Sequence, residues 1–164
     1  MTVSHAVLPA KATRRFNLRQ EQELIQQAIM LLERRIFRRG KKILNPADLN
    51  AFLRLKLARN QNEVFAVVFM DSHHRVLAFE ELFRGTIDTA SVHSRVVLQR
   101  ALHHNAAAVF LCHNHPSGKP EPSEADQVLT LVLKDLLKQV DVRVLDHIII
   151  GKGQPWSFAE AGLI

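Results

Sequence analysis

At 164 residues, 47% of them hydrophobic, the chain is long enough to bury the core of one domain. Its single cysteine, Cys112, excludes an internal disulfide, and its longest apolar runs, such as Val64 to Met70, fall far short of the roughly 20 residues a membrane helix requires. The net charge of +6 is concentrated: residues 11–42 carry Lys11, Arg14, Arg15, Arg19, Arg34, Arg35, Arg38, Arg39, Lys41 and Lys42 against Glu21, Glu23 and Glu33, a net of +7, and the remainder is near neutral. No segment has the charged, apolar and small-residue succession of a secretory leader, so the expected location is the cytoplasm, with no membrane association. The basic segment suits either a solvated helix face or nonspecific, salt-dependent contact with nucleic-acid phosphates, and both readings stay open.

The first residues, through Lys11, have no period and include Pro9, which suits a flexible arm. Asn17, with Gln20 three residues on, forms a helix-start signal. Leu18, Ile25, Ala28, Ile29, Leu32 and Ile36 then recur at helical spacing until Gly40. Asn45-Pro46 repeats that signal and opens a second helix carrying Leu49, Phe52, Leu53, Leu55 and Leu57, ending near Asn60.

From Glu63 the character changes. Val64 to Met70 is β-branched, aromatic and apolar on both faces, as a central strand requires. Asp71 to His74 make a turn, Arg75 to Phe83 a partner strand that Gly85 closes, and Val92 to His104 a helix. Ala107 to Cys112 read as another buried strand. A Pro/Gly-rich loop follows, then a helix from about Ser123 to Gln139 built on Val128, Leu131, Val132, Leu136 and Leu137, then a strand from Val142 to Ile150 that Gly151 and Gly153 end. This order predicts an α/β fold, a central mixed β-sheet flanked by helices.

The densest polar cluster runs from Cys112 to Asp126, at the end of a buried strand. Residues i and i+2 of an extended chain point the same way, so His113 and His115 can present both imidazoles to one ion. The loop returns the start of the next helix to that point, where Asp126 can supply a third ligand. Two His and a carboxylate leave the fourth tetrahedral position of a zinc ion open for water, the arrangement of a catalytic site. Ser123 and Asp126 also match a helix capping pattern, and either reading accounts for that pair alone. Cys112 alternates to the opposite face and reads as a buried thiol. His147 reads as a core residue or a support for a ligand rather than a fourth ligand. His73, His74, His103 and His104 sit at a turn and a helix end, where exposure is the default.

The pattern His113-x-His115, seven residues, Ser123, two residues, Asp126 resembles the JAMM signature of JAB/MPN metalloproteases. More closely, His113-Asn114-His115-Pro116-Ser117-Gly118 with Pro122-Ser123 and Asp126 looks like the RadC-like branch. Gly85-Thr86-Ile87, Asp146-His147-Ile148-Ile149 and Ser157-Phe158 look like its other signature segments. The resemblance runs from about Asn45 to the C-terminus and implies a JAB/MPN domain, of cytidine-deaminase-like layering, over 45–164. A flexible arm and basic amphipathic helix over 1–44 would precede it.

It also implies a zinc metallohydrolase that cleaves a peptide or isopeptide bond in an unknown peptide or protein substrate, with Zn2+ held by His113, His115 and Asp126. In that superfamily a glutamate at the first core strand is the general base, and Glu63 occupies the matching place; Ser123 takes the part of the oxyanion donor. Asn114 stands where eukaryotic deubiquitinases have Ser or Thr, and their ubiquitin-gripping loops have no counterpart here. The family is historically linked with DNA repair, but longer members carry a helix-hairpin-helix region that the N-terminal part does not resemble. The deaminase signature H-x-E with P-C-x-x-C fails on a single cysteine, and the letters His-Asn-His do not build an HNH nuclease. The alternative is a DNA- or partner-binding module with a metal site and no significant hydrolase activity.

Overall fold

The computed structural model describes residues 17–37, 46–85 and 91–164. The N-terminal arm, the helix stop at Gly40, the cap at Asn45, the Thr86-Ile87 pair and the basic residues Lys11, Arg14, Arg15, Arg38, Arg39, Lys41 and Lys42 lie outside these residues. Of the remaining basic cluster, Arg19 pairs with Glu23 at 3.1 Å, Arg35 stands 3.9 Å from Asp48, and Arg34 faces solvent.

Among the described residues nine elements follow in order: α1 (Leu18–Ile36), α2 (Pro46–Leu57), β1 (Val64–Met70), β2 (Val76–Arg84), α3 (Ser94–His103), β3 (Ala108–Asn114), α4 (Glu124–Lys138), β4 (Arg143–Ile150) and β5 (Trp156–Ser157). The expected α/β fold with a mixed sheet is what forms, and its five strands run β2-β1-β3-β4-β5. β1 is antiparallel to β2 and β3, β3 and β4 are parallel, and β5 closes the edge antiparallel to β4. The parallel pair requires a crossover, which α4 supplies.

Period-2 alternation divides the strand residues between two cores. Val64, Ala66, Val68, Met70, Cys112, Ile148 and Ile150 pack under α1 and α2, through Ile29, Leu32, Ile36, Phe52 and Leu53 among others. Phe65, Val67, Phe69, Val109 and Leu111 pack under α3 and α4, through Val97, Ala101, Leu133 and Leu137. β1, covered on both faces, is buried at all of its positions, which explains why its sequence has no polar alternation.

Asn17 caps α1 through a reciprocal capping box with Gln20, as expected. Three expectations change. The second helix stops at Leu57 rather than near Asn60. The short edge strand β5 was not foreseen, because two residues show no period. The inward face of α4 is the expected one only at Leu137: Val128, Leu131 and Val132 are 61%, 51% and 49% exposed, while Asp126, Thr130 and Leu133 join Leu137 in being buried. The apolar stripe misled because two inward positions of this helix are polar. Among the described residues no helix is long and apolar enough to cross a membrane.

Candidate metal centre

The polar inward positions of α4 meet the end of β3. The antiparallel register pairs Phe65 with His113, so the start of β1 lies beside the end of β3. Glu63 immediately precedes β1, two residues before Phe65, and its charge acts on His115 through space. Gly85 N–H donates to the Glu63 carbonyl at 2.8 Å and fixes the backbone there. From the other side, Ser123 caps α4 and places Asp126 in its first turn. Both the cap and the site readings of that pair hold at once. Ser123 N–H and Oγ–H donate to Asp126 Oδ2 at 2.8 and 2.6 Å, while Ser123 Oγ accepts from Asp126 N–H at 3.1 Å.

The three expected ligands come together, with candidate donor atoms all within 4.8 Å of one another. His113 Nε2 is 2.9 Å from His115 Nε2 and 3.2 Å from Asp126 Oδ1, and His115 Nε2 is 3.5 Å from Asp126 Oδ2. Ligand atoms on a tetrahedral zinc with bonds near 2.0–2.1 Å stand about 3.3–3.4 Å apart. The donor set, with spacings on either side of that value, could therefore hold a small cation.

Each histidine is held from behind. His115 Nδ1–H donates to the Lys119 carbonyl at 2.7 Å, which leaves Nε2 facing the site. That carbonyl is placed by a turn in which Gly118, at φ 86°, donates to the His115 carbonyl, while Lys152 N–H reaches Gly118 O at 2.8 Å. Gly151 makes the approach possible, because a Cβ there would stand 2.7 Å from both Gly118 O and Pro120 N. His113, with no exposed surface, has its Nδ1 2.8 Å from Nε2 of the equally buried His147. His147 stacks on Phe158 at 4.9 Å between ring centroids and meets Phe65 edge-on. Asp146 accepts from Ser157 Oγ at 2.6 Å and from Ala159 N–H at 3.0 Å, which anchors the segment carrying Phe158.

The electrostatics suit cation binding. Burial acts to raise the Asp126 carboxyl, but the His113 and His115 rings beside it and the hydrogen bonds from Ser123 outweigh it and hold the group far below the usual carboxylate range. The Asp126 bond is the largest influence lifting His115 above its ordinary value, and the Glu63 carboxylate adds to it through space. Burial pushes His147 well below its ordinary value, so that ring is neutral.

His147 is thus a buried residue that meets Nδ1 of His113 and lies outside the His113–His115–Asp126 cluster. Thr130 went unnoticed in the sequence: its hydroxyl touches both His147 and the Asp126 carbonyl. A polar residue four positions after Asp126, on the same helix face, was the available signal. His104 also departs from the default exposure, since it is half-buried against Phe69 and bonded to Glu80 at 2.8 Å. Cys112 is buried on the opposite face, as expected, with Sγ 3.3 Å from the Ala66 carbonyl.

Residues 43–163 match the family model of the RadC-like JAB domain, and the chain belongs to that family. It is 58% identical over 127 residues to the UPF0758 protein of Nitrosococcus oceani, covering 77% of this chain and 57% of that relative. It is 51% identical over 142 residues to the UPF0758 protein of Vibrio cholerae, covering 87% of this chain and 89% of that relative. The chain thus spans little more than half of the former and most of the latter.

Proposed function

We propose that this chain is a zinc-dependent hydrolase of the JAMM type that cleaves a peptide or isopeptide bond, with residues 45–164 as the catalytic domain. The observation that carries the reading is the convergence of His113, His115 and Asp126 at tetrahedral spacing with Glu63 beside them. His113, His115 and Asp126 hold the metal, which when bound would polarise a carbonyl and bring the pKa of a water to about 7. Membership of the RadC-like JAB family supports the same assignment.

Glu63 is the general base and then acid: it takes a proton from the attacking water and returns it to the leaving amine. Its place two residues before Phe65, which pairs with His113, and its through-space influence on His115 support that role. Ser123 donates to the oxyanion that develops on the substrate carbonyl. To do so its hydroxyl rotates away from Asp126 Oδ2, which the Ser123 backbone N–H continues to hold. The exposed position of Ser123 leaves room for that rotation.

Elemental analysis of the wild type beside His113→Ala and Asp126→Ala tests the metal; about one zinc per chain, lost in both variants, is the expected result. Glu63→Gln should keep the zinc and lose roughly 10²–10⁴-fold in hydrolysis of a peptide or isopeptide substrate. A wild type that takes up no metal from added zinc would overturn the proposal.

A further inference from the structure

We infer that Thr130 and His147 form a hydrogen-bond relay that commits His113 to the Nδ1–H tautomer, and so directs the Nε2 lone pair of His113 into the site. The inference rests on the metal reading above. It adds two positioning residues, neither of which touches the metal position.

The assignment follows from counting donors and acceptors. Thr130 Oγ1 is 2.5 Å from the main-chain carbonyl oxygen of Asp126, four residues back along α4. Two oxygens that close repel unless a proton lies between them, and a carbonyl can only accept. The single hydroxyl proton of Thr130 is therefore used there. Thr130 Oγ1 is also 2.6 Å from His147 Nδ1, so this second bond can only run from the imidazole N–H to the hydroxyl oxygen.

His147 has no exposed surface, and its two ring nitrogens meet Thr130 and His113, neither of which is a carboxylate. A buried ring without an anionic partner is neutral, so a proton on Nδ1 leaves Nε2 as an acceptor. His113 Nδ1, 2.8 Å away, must then be the donor. In the neutral ring that a metal ligand must be, that leaves the Nε2 lone pair of His113 free, facing His115 Nε2 at 2.9 Å and Asp126 Oδ1 at 3.2 Å.

The two ligand histidines thus reach one tautomer by different routes. His115 is settled directly by a carbonyl, whereas His113 faces another imidazole, which can donate or accept with equal ease. One hydroxyl, a ring away, removes that ambiguity.

The test compares Thr130→Val, which keeps the side-chain shape and removes the hydroxyl, with Thr130→Ser, which keeps the hydroxyl and removes a methyl group. Zn2+ and Co2+ affinities would be measured by competition with a chelator, and the protonated ring nitrogens read by 15N NMR of histidine-labelled protein. Thr130→Val should bind both metals about 10–100-fold more weakly than wild type, with Thr130→Ser close to wild type. A packing role gives the reverse order, and that order would overturn the relay.

In the wild type, with and without metal, Nδ1 of both His113 and His147 should be protonated; a His113 Nδ1 without a proton overturns the inference. This readout decides the matter even where Thr130→Val does not fold. A wild type that binds no metal would remove the proposed function, while the ring protonation would still decide the relay by itself.

Discussion

Asn114 Oδ1 accepts a hydrogen bond of 2.8 Å from the backbone N–H of Val64, fifty positions earlier in the chain. Its Nδ2 donates to the carbonyls of Asn60 and Asn62, at 3.3 and 3.1 Å. One buried amide therefore ties the end of β3, between His113 and His115, to the backbone on both sides of Glu63. Its partners on the α2–β1 connection are main-chain atoms, so the clamp acts on the path of the chain. Removal of the side chain leaves a buried N–H unsatisfied, a defect that costs about 1–3 kcal/mol. Asn114→Ala should lower stability by that amount in a denaturant melt. Zinc binding should survive, because the ligands keep their own supports.

Gly151 predicts a different failure. The Cβ of Gly151→Ala would stand 2.7 Å from two backbone atoms of the 116–120 loop, so the loop must move and take the Lys119 carbonyl from His115. Zinc affinity, measured by chelator competition, should fall roughly 10-fold or more, as expected when the support of a ligand is lost. Gly153, with open space around it at φ 86°, should show backbone strain without that loss.

Acid stability should report on Glu80. The hydrogen bond from Arg100, followed by that from His104, lowers its carboxyl from 4.5 to about 2 against the opposing effect of burial. A carboxyl lowered in the folded state contributes stability that is present above the unfolded value and lost as pH falls toward the folded one. The stability difference between wild type and Glu80→Gln should be constant above about pH 5 and close between 4.5 and about 2. Melts across that range measure it.

Cys112 should be chemically silent. Burial, the larger influence, and the charge of Glu81 push its thiol far above the usual range. Native protein should resist alkylation by iodoacetamide at neutral pH, and protein in denaturant should react fully. Rapid modification of the folded chain would contradict the buried position between Ala66 and the α2 layer.

The convergence of His113, His115 and Asp126 was legible because strand alternation and helix start signals are local properties. His113, His115, Ser123 and Asp126 fall within one stretch of chain, and the turn that folds it back is written in Pro and Gly. The roles of Thr130 and His147 were harder to read, since they depend on how α4 rotates about its own axis. That rotation is set by the sheet beneath it, and the stronger apolar signal of Val128, Leu131 and Val132 pointed to the wrong side. The clamp by Asn114 was invisible for a related reason: it joins segments that only the β1–β3 register brings together.

The rotation of α4 also limits how this domain can be strengthened. The helix leaves apolar side chains in water while placing a carboxylate and a hydroxyl against the sheet, an arrangement that folding alone would not favour. A redesign guided by core packing would put leucine or valine at 126 and 130 and polar residues at 128, 131 and 132. The outer changes improve solubility at no cost to the site, whereas the inner ones exchange a residue of the candidate metal site and the hydroxyl bonded to His147 for hydrophobic contact. Thermal robustness and metal chemistry therefore compete on one face of this helix and are independent on the other.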